Sequence, residues 1–204
     1  MPITIGFDDG VFTQTGELSW DGTSNGLQGI DIDLFTIDGT NTPLNSGAAN
    51  ALDCRDCLLN FTTGDYIGLT GNDFTFGQGG NFTITGSAYD PLNNLVASGT
   101  LLDGLFDLVD PKISLAGSIG LFVGLGIDEK NADLLNYFGA PSGDYTYANT
   151  EIALGTCSGG VGGIDCIVTN ADVDNVYNQV PEPSALALMG LGLLGLIGMR
   201  RRSA

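Results

Sequence analysis

The chain has 204 residues, 24 acidic against six basic side chains, a formal net charge of −18 and no histidine. That charge excludes nucleic acid as a main ligand, because neutralising phosphates needs a basic surface. The missing imidazole excludes Ser-His-Asp and Cys-His catalysis and His-ligated metal centres, and a hydrophobic content of 43% argues against disorder.

Residues 3–12 read as a first strand that ends in the turn-prone Asp8-Asp9-Gly10. Residues 13–26 are polar and contain the single tryptophan, Trp20. In Gly29-Ile30-Asp31-Ile32-Asp33-Leu34 the period of two places Ile30, Ile32 and Leu34 inside, with Asp31 and Asp33 in solvent. Residues 38–50 read as a loop. Short strands are expected at 58–63, 73–76 and 81–85, the last rich in threonine and aromatics. Gly77-Gln78-Gly79-Gly80 between two of them reads as a tight turn, since no lysine or helix pattern follows to make a phosphate loop. The apolar stretches 96–109 and 113–127 read as central strands with glycines at bulges or close contacts. One soluble helix is predicted over 128–138, capped by Asp128, with Leu134, Leu135 and Phe138 on one face and Gly139 and Pro141 ending it. Strands return at 144–154, 164–169 and 172–178.

Short strands, frequent Gly/Asn/Asp turns and little helix predict a mainly β domain over residues 1–178, an antiparallel β-sandwich of jelly-roll type with one short helix. No repeat of solenoid or propeller period is present.

Four cysteines fall in two local pairs, Cys54 with Cys57 and Cys157 with Cys166. In an oxidising compartment such pairs become disulfides that close small loops, and this is the most local of three connectivities. A zinc site using all four would have eight residues within the second pair instead of two to four. A redox pair would want a strand-to-helix setting, and Asp56 would raise a thiol pKa there. No metal or cofactor is expected.

No phosphate loop or dinucleotide fingerprint occurs. Paired-carboxylate hydrolysis is compatible with the many acids, yet most sit in apparent turns and nothing nominates a pair. The chain is therefore expected not to be an enzyme. Sugar platforms would use exposed aromatics, for which Trp20, Tyr66, Tyr89, Tyr145 and Tyr147 are candidates, each equally a core residue. Asp8-Asp9-Gly10 and Asp172-Val173-Asp174-Asn175 are oxygen-rich enough for calcium but lack the EF-hand pattern.

After a linker, 179–184, that holds two prolines, residues 185–199 form an uncharged apolar run followed by Arg200, Arg201 and Arg202. At ~1.5 Å per residue the run is roughly 22 Å long, short for a bilayer core of about 30 Å, and snorkelling arginines and local thinning make up the difference. It is read as a single C-terminal transmembrane helix within 185–204. The arginines stay cytoplasmic, which puts the N-terminal domain outside.

Val180-Pro181-Glu182-Pro183, the Gly/Leu-rich span and the arginine cluster together resemble the PEP-CTERM sorting signal of Gram-negative bacteria. The resemblance covers roughly 180–202. It implies export through the inner membrane and recognition by an exosortase, a membrane-embedded cysteine transpeptidase-like processor. It also implies release or attachment of the passenger in the exopolysaccharide and biofilm layer. Pro181, Glu182 and Pro183 would then be recognition residues, since the protein is the substrate. Such a family implies an N-terminal export signal, which residues 1–9 do not supply, so an upstream start is expected. The stretches 76–86 and 97–102 also look like recurring parts of PEP-CTERM passenger domains, which implies a β-rich domain.

Overall fold

A computed structural model describes residues 2–8, 16–143 and 145–177, with residues 146–148 described by their backbone alone. The strands are β1 (Ile3–Asp8), β2 (Glu17–Trp20), β3 (Gln28–Thr40), β4 (Leu52–Thr63), β5 (Tyr66–Thr70), β6 (Asp73–Phe76), β7 (Gly80–Tyr89), β8 (Leu95–Ala116), β9 (Ile119–Lys130), β10 (Tyr145–Gly160) and β11 (Gly163–Tyr177). One helix, α1 (Ala132–Phe138), lies between β9 and β10.

All pairings are antiparallel, and together they make one sheet. Several strands are halves of one stave. β1 and β2 follow each other in the gap between β3 and β11. β6 and β7 follow each other along one edge of β8, and β5 continues β4 along the same hairpin. Eight staves result: β1–β2, β3, β4–β5, β6–β7, β8, β9, β10 and β11. Each pairs with its neighbour in sequence, and β11 pairs with β1 to close the ring. This is an up-and-down barrel, a size at which side chains fill the interior.

The β content, the antiparallel pairing and the single short helix match the sequence reading. The jelly-roll sandwich does not, because the hydrogen-bonded circuit closes and no stave crosses over another. The physical reason lies in the connections: every one links adjacent staves, so the chain meanders and never needs a Greek-key return. Gly77-Gln78-Gly79-Gly80 is likewise a kink inside a stave and not a turn between strands, with φ of 92° and 73° at Gly79 and Gly80.

Inward side chains alternate along each stave as a pleated strand requires. Phe61, Phe82, Phe106 and Phe122 stack in the middle of the barrel. Glycines make room for these rings: a Cβ on Gly124 would lie 2.5 Å from the Phe106 ring. One mouth is closed by Trp20, packed on Tyr66, Phe74 and Phe76, with its indole N–H donating to the carbonyls of Thr23 and Asn25. The other is plugged by Leu134, Leu135 and Phe138 of α1. Both β1 and the end of β11 lie at this plugged end, since Ile3 pairs with Tyr177.

Two local expectations need correction. Asn131, not Asp128, caps α1 by accepting from the Asp133 N–H, and Asp128 lies buried in β9. Ile30 is only half-buried, because the register slips between Gly29 and Ile32. Asp31 there takes φ 48° and its N–H donates to Asn60 Oδ1, which turns Ile30 off the core face. Ile32 and Leu34 are buried as expected.

Candidate functional site

The barrel gathers carboxylates on one side. On the outer face of β3, β1, β11 and β10 lie Asp38, Asp8, Asp172, Asp174 and Glu151. Gly6 pairs with both Asp38 and Asp174, and Asp172 pairs with Asp8 and Glu151. A Cβ placed on Gly6 would meet Asp174 Oδ1 at 3.0 Å, Asp38 Oδ1 at 3.1 Å and Asp8 Oδ2 at 3.9 Å, so three carboxylates lean over the same backbone position. Partial burial pushes Asp172 up to about 7, with Asp174, Asp8 and Glu151 adding repulsion and a hydrogen bond from Asp8 acting the same way. Asp174 and Asp38 are also raised, burial being the larger cause.

Sequence reading noticed Asp8 and Asp172–Asp174 as separate loops and missed Asp38 and Glu151. Only the ring closure between β1 and β11 brings them together. Among the described residues, no group of three or more His, Cys, Asp or Glu side chains is arranged to hold a metal ion. The carboxylates form a repulsive face and not a finished coordination shell.

A second polar group lies inside the barrel at the end plugged by α1. Lys130 and Asp128, two residues apart on β9, both point inward and form an ion pair with fully buried side chains. The Lys130 ammonium also lies 3.7 Å from the centre of the Tyr145 ring. Burial pushes Lys130 down to about 8 against the pull of Asp128, and burial together with Asp128 pushes Tyr145 up. Both charged side chains are fully buried and paired with each other, so we read the arrangement as structural.

The aromatic candidates are mostly spent on packing. Trp20 and Tyr145 are buried, Tyr66 stacks on Trp20, and Tyr89 lies under the Arg55 guanidinium at 4.1 Å. The side chain of Tyr147 lies outside the description. The cysteines form disulfides Cys54–Cys57 and Cys157–Cys166, the first within β4 and the second across the β10–β11 hairpin. None is free. Val180, Pro181, Glu182, Pro183, the 185–199 span and Arg200, Arg201 and Arg202 lie outside the described residues, as does Asp9-Gly10 of the first calcium candidate. Among the described residues, no helix is long and apolar enough to cross a membrane.

No curated protein and no solved structure matches the chain. A family model, the PEP-CTERM protein-sorting motif, matches residues 179–202, which begin two residues beyond the end of β11. Its match covers the tail alone and leaves the barrel's own activity open. Just past the stave that closes its barrel, the chain carries a PEP-CTERM protein-sorting motif, consistent with an exosortase substrate and implying export and sorting to the cell surface.

Proposed function

We propose that the barrel is a passenger delivered by its tail to an exosortase, and that it serves as a structural or adhesive component of the exopolysaccharide or biofilm layer. The observation that carries this reading is the position of the motif, residues 179–202, directly after the last strand of a closed, disulfide-bonded barrel. Residues 185–199 would hold the inner membrane until processing. Two disulfides suit an oxidising destination, and the strong negative charge suits solubility in a crowded layer. The role is non-enzymatic: there is no histidine, and the raised Asp172 lies on the outer face of strands instead of in a cleft.

The test is intact mass and location in the native host, with and without Pro181, Glu182 and Pro183 replaced by alanine. Native protein outside the cell without its arginines, and the variant full length in the membrane, supports the reading. Both forms uncut in the inner membrane would make the tail a plain anchor and remove it.

A second reading is a carbohydrate- or calcium-binding module on the same route. It is favoured by the convergence of Asp8, Asp38, Asp172 and Asp174, whose mutual repulsion a divalent cation would relieve. A melting temperature that rises with calcium and not with equal ionic strength of sodium would support the calcium form, and a glycan array the carbohydrate form. Flat results in both would remove it.

A further inference from the structure

In a chain of net charge −18, the outer face of β3, β4 and β7 holds a groove with an uncharged floor. The tripeptide Asn-Phe-Thr occurs there twice, at residues 60–62 and 81–83, and the two copies lie antiparallel in β4 and β7. The period of two sends Phe61 and Phe82 into the core and leaves Asn60 opposite Thr83 and Thr62 opposite Asn81 outside. Gln28 of β3 pairs with Thr62 in turn. These five polar side chains, with Ile30, line a groove of about 270 Å³. A second section of about 340 Å³ starts from Gln28 and Thr62, which line both, and runs past Asn25 and Ser19 to the mouth over Trp20. Its loop wall is fixed, because Asp21 accepts from the Thr23 N–H and hydroxyl and from the Asn25 amide. Acids border the groove: Glu17 pairs with Ile30, Asp103 pairs with Thr83, the Asp31 N–H donates to Asn60 Oδ1, and Asp65 stands in the second section. No lysine or arginine lines either section.

We propose that this groove binds a strand of neutral polysaccharide. The proposal rests on the carbohydrate form of the second reading above and gives it a site. Amide and hydroxyl side chains each both donate and accept, which is what the hydroxyls of a sugar ring require of their partners. An uncharged ligand meets an uncharged floor, so no charge is stripped of water on either side. An anionic chain would face Glu17, Asp103 and Asp65 with no cation to receive it. A cationic chain would find a denser set of carboxylates over Gly6, on β1, β3 and β11, than on this floor. Trp20 is buried beneath the second section, so recognition runs through hydrogen bonds and not through ring stacking. Each section alone is at the small end of ligand clefts, and their continuity at Gln28 and Thr62 suits a chain that passes through both.

The test uses the full chain, oxidised and held in mild detergent, on an array of neutral glucans, mannans and galactans beside alginate and chitosan. Binding to a neutral polysaccharide is expected. Thr62→Ala with Asn81→Ala should weaken it about tenfold or more, and Gln28→Ala alone about fivefold, through the hydrogen bonds removed. Ser98→Ala, an exposed hydroxyl on β8 outside the groove, should bind as the parent does. An unchanged melting temperature in each variant shows that the barrel is intact. If the parent binds no neutral polysaccharide, the inference falls together with the carbohydrate reading. If the parent binds and the groove variants bind equally well, the reading stands and the site assigned here is overturned. Binding to alginate or chitosan alone would mean that charge governs recognition, and would overturn it as well.

Discussion

Asp172 and Asp8 sit opposite one another on the two strands that close the barrel, and their carboxyl groups are hydrogen-bonded. Two carboxyls bond in this way only with a proton between them, so the closing seam favours the protonated form. Asp174, Asp38 and Glu151 add negative charge around it.

The sign of the pH dependence follows. Folding raises the Asp172 pKa from 3.8 to about 7. Its contribution to stability is therefore full below pH 3.8 and lost as pH rises through 7. Asp172 is half-buried, and after allowing for solvent screening the effect is about 1–2 kcal/mol. The melting temperature should fall by roughly 2–6 °C between pH 4.5 and pH 7.5. Asp172→Asn should recover most of this at pH 7.5 and flatten the profile. A melting temperature that rises over that interval would contradict the assignment.

Lys130→Met should be among the most costly single changes. It leaves the buried Asp128 charge without its ammonium, at about 3–5 kcal/mol. Replacing both residues, Asp128→Leu with Lys130→Met, should cost much less, within about 2 kcal/mol of the parent. Urea denaturation of the two single variants and the double variant completes the cycle, and additive losses would mean that the pair does not act as a unit.

The disulfides should differ in value. Cys157 and Cys166 are nine residues apart and tie β10 to β11, whereas Cys54 and Cys57 are three apart within β4. Loop entropy assigns about 2.7 kcal/mol to the larger ring and about 1.9 to the smaller. Replacing each pair with alanine and comparing denaturation midpoints checks the order.

Gly124→Ala should cost about 1–3 kcal/mol, because the new methyl must displace the Phe106 ring 2.5 Å away. Gly160→Ala meets nothing within 4 Å and should lie within about 0.5 kcal/mol of the parent. Equal losses at both sites would mean that the glycines act through backbone freedom and not by holding space for the aromatic core.

The sequence revealed those features that depend on local pattern. Alternation placed Ile32 and Leu34 inside, Gly139 ended the helix, and the cysteines pair as the nearest neighbours they are. Features that depend on distant strands were not legible. No window of the chain reports that residue 3 lies beside residue 177, and without that pairing Asp8, Asp38 and Asp172 read as separate surface acids. Ile30 failed because a bulge adds a residue on one side of a ladder, which a strict period of two cannot anticipate. Asp128 looked like a cap because its neighbours are helix formers. Lys130, two residues on in the same strand, gives its side chain a better place inside once β9 runs through to residue 130.

The position of β11 also has a mechanical meaning. Any tether beyond residue 177 pulls on the end of a stave held along both edges, by β10 on one side and β1 over its last six residues on the other. A lengthwise load shears these two ladders together and does not unzip them one bond at a time. A barrel hung by that stave should bear its greatest tension before it opens, and the hairpin disulfide should hold β10 to β11 after the hydrogen bonds have failed.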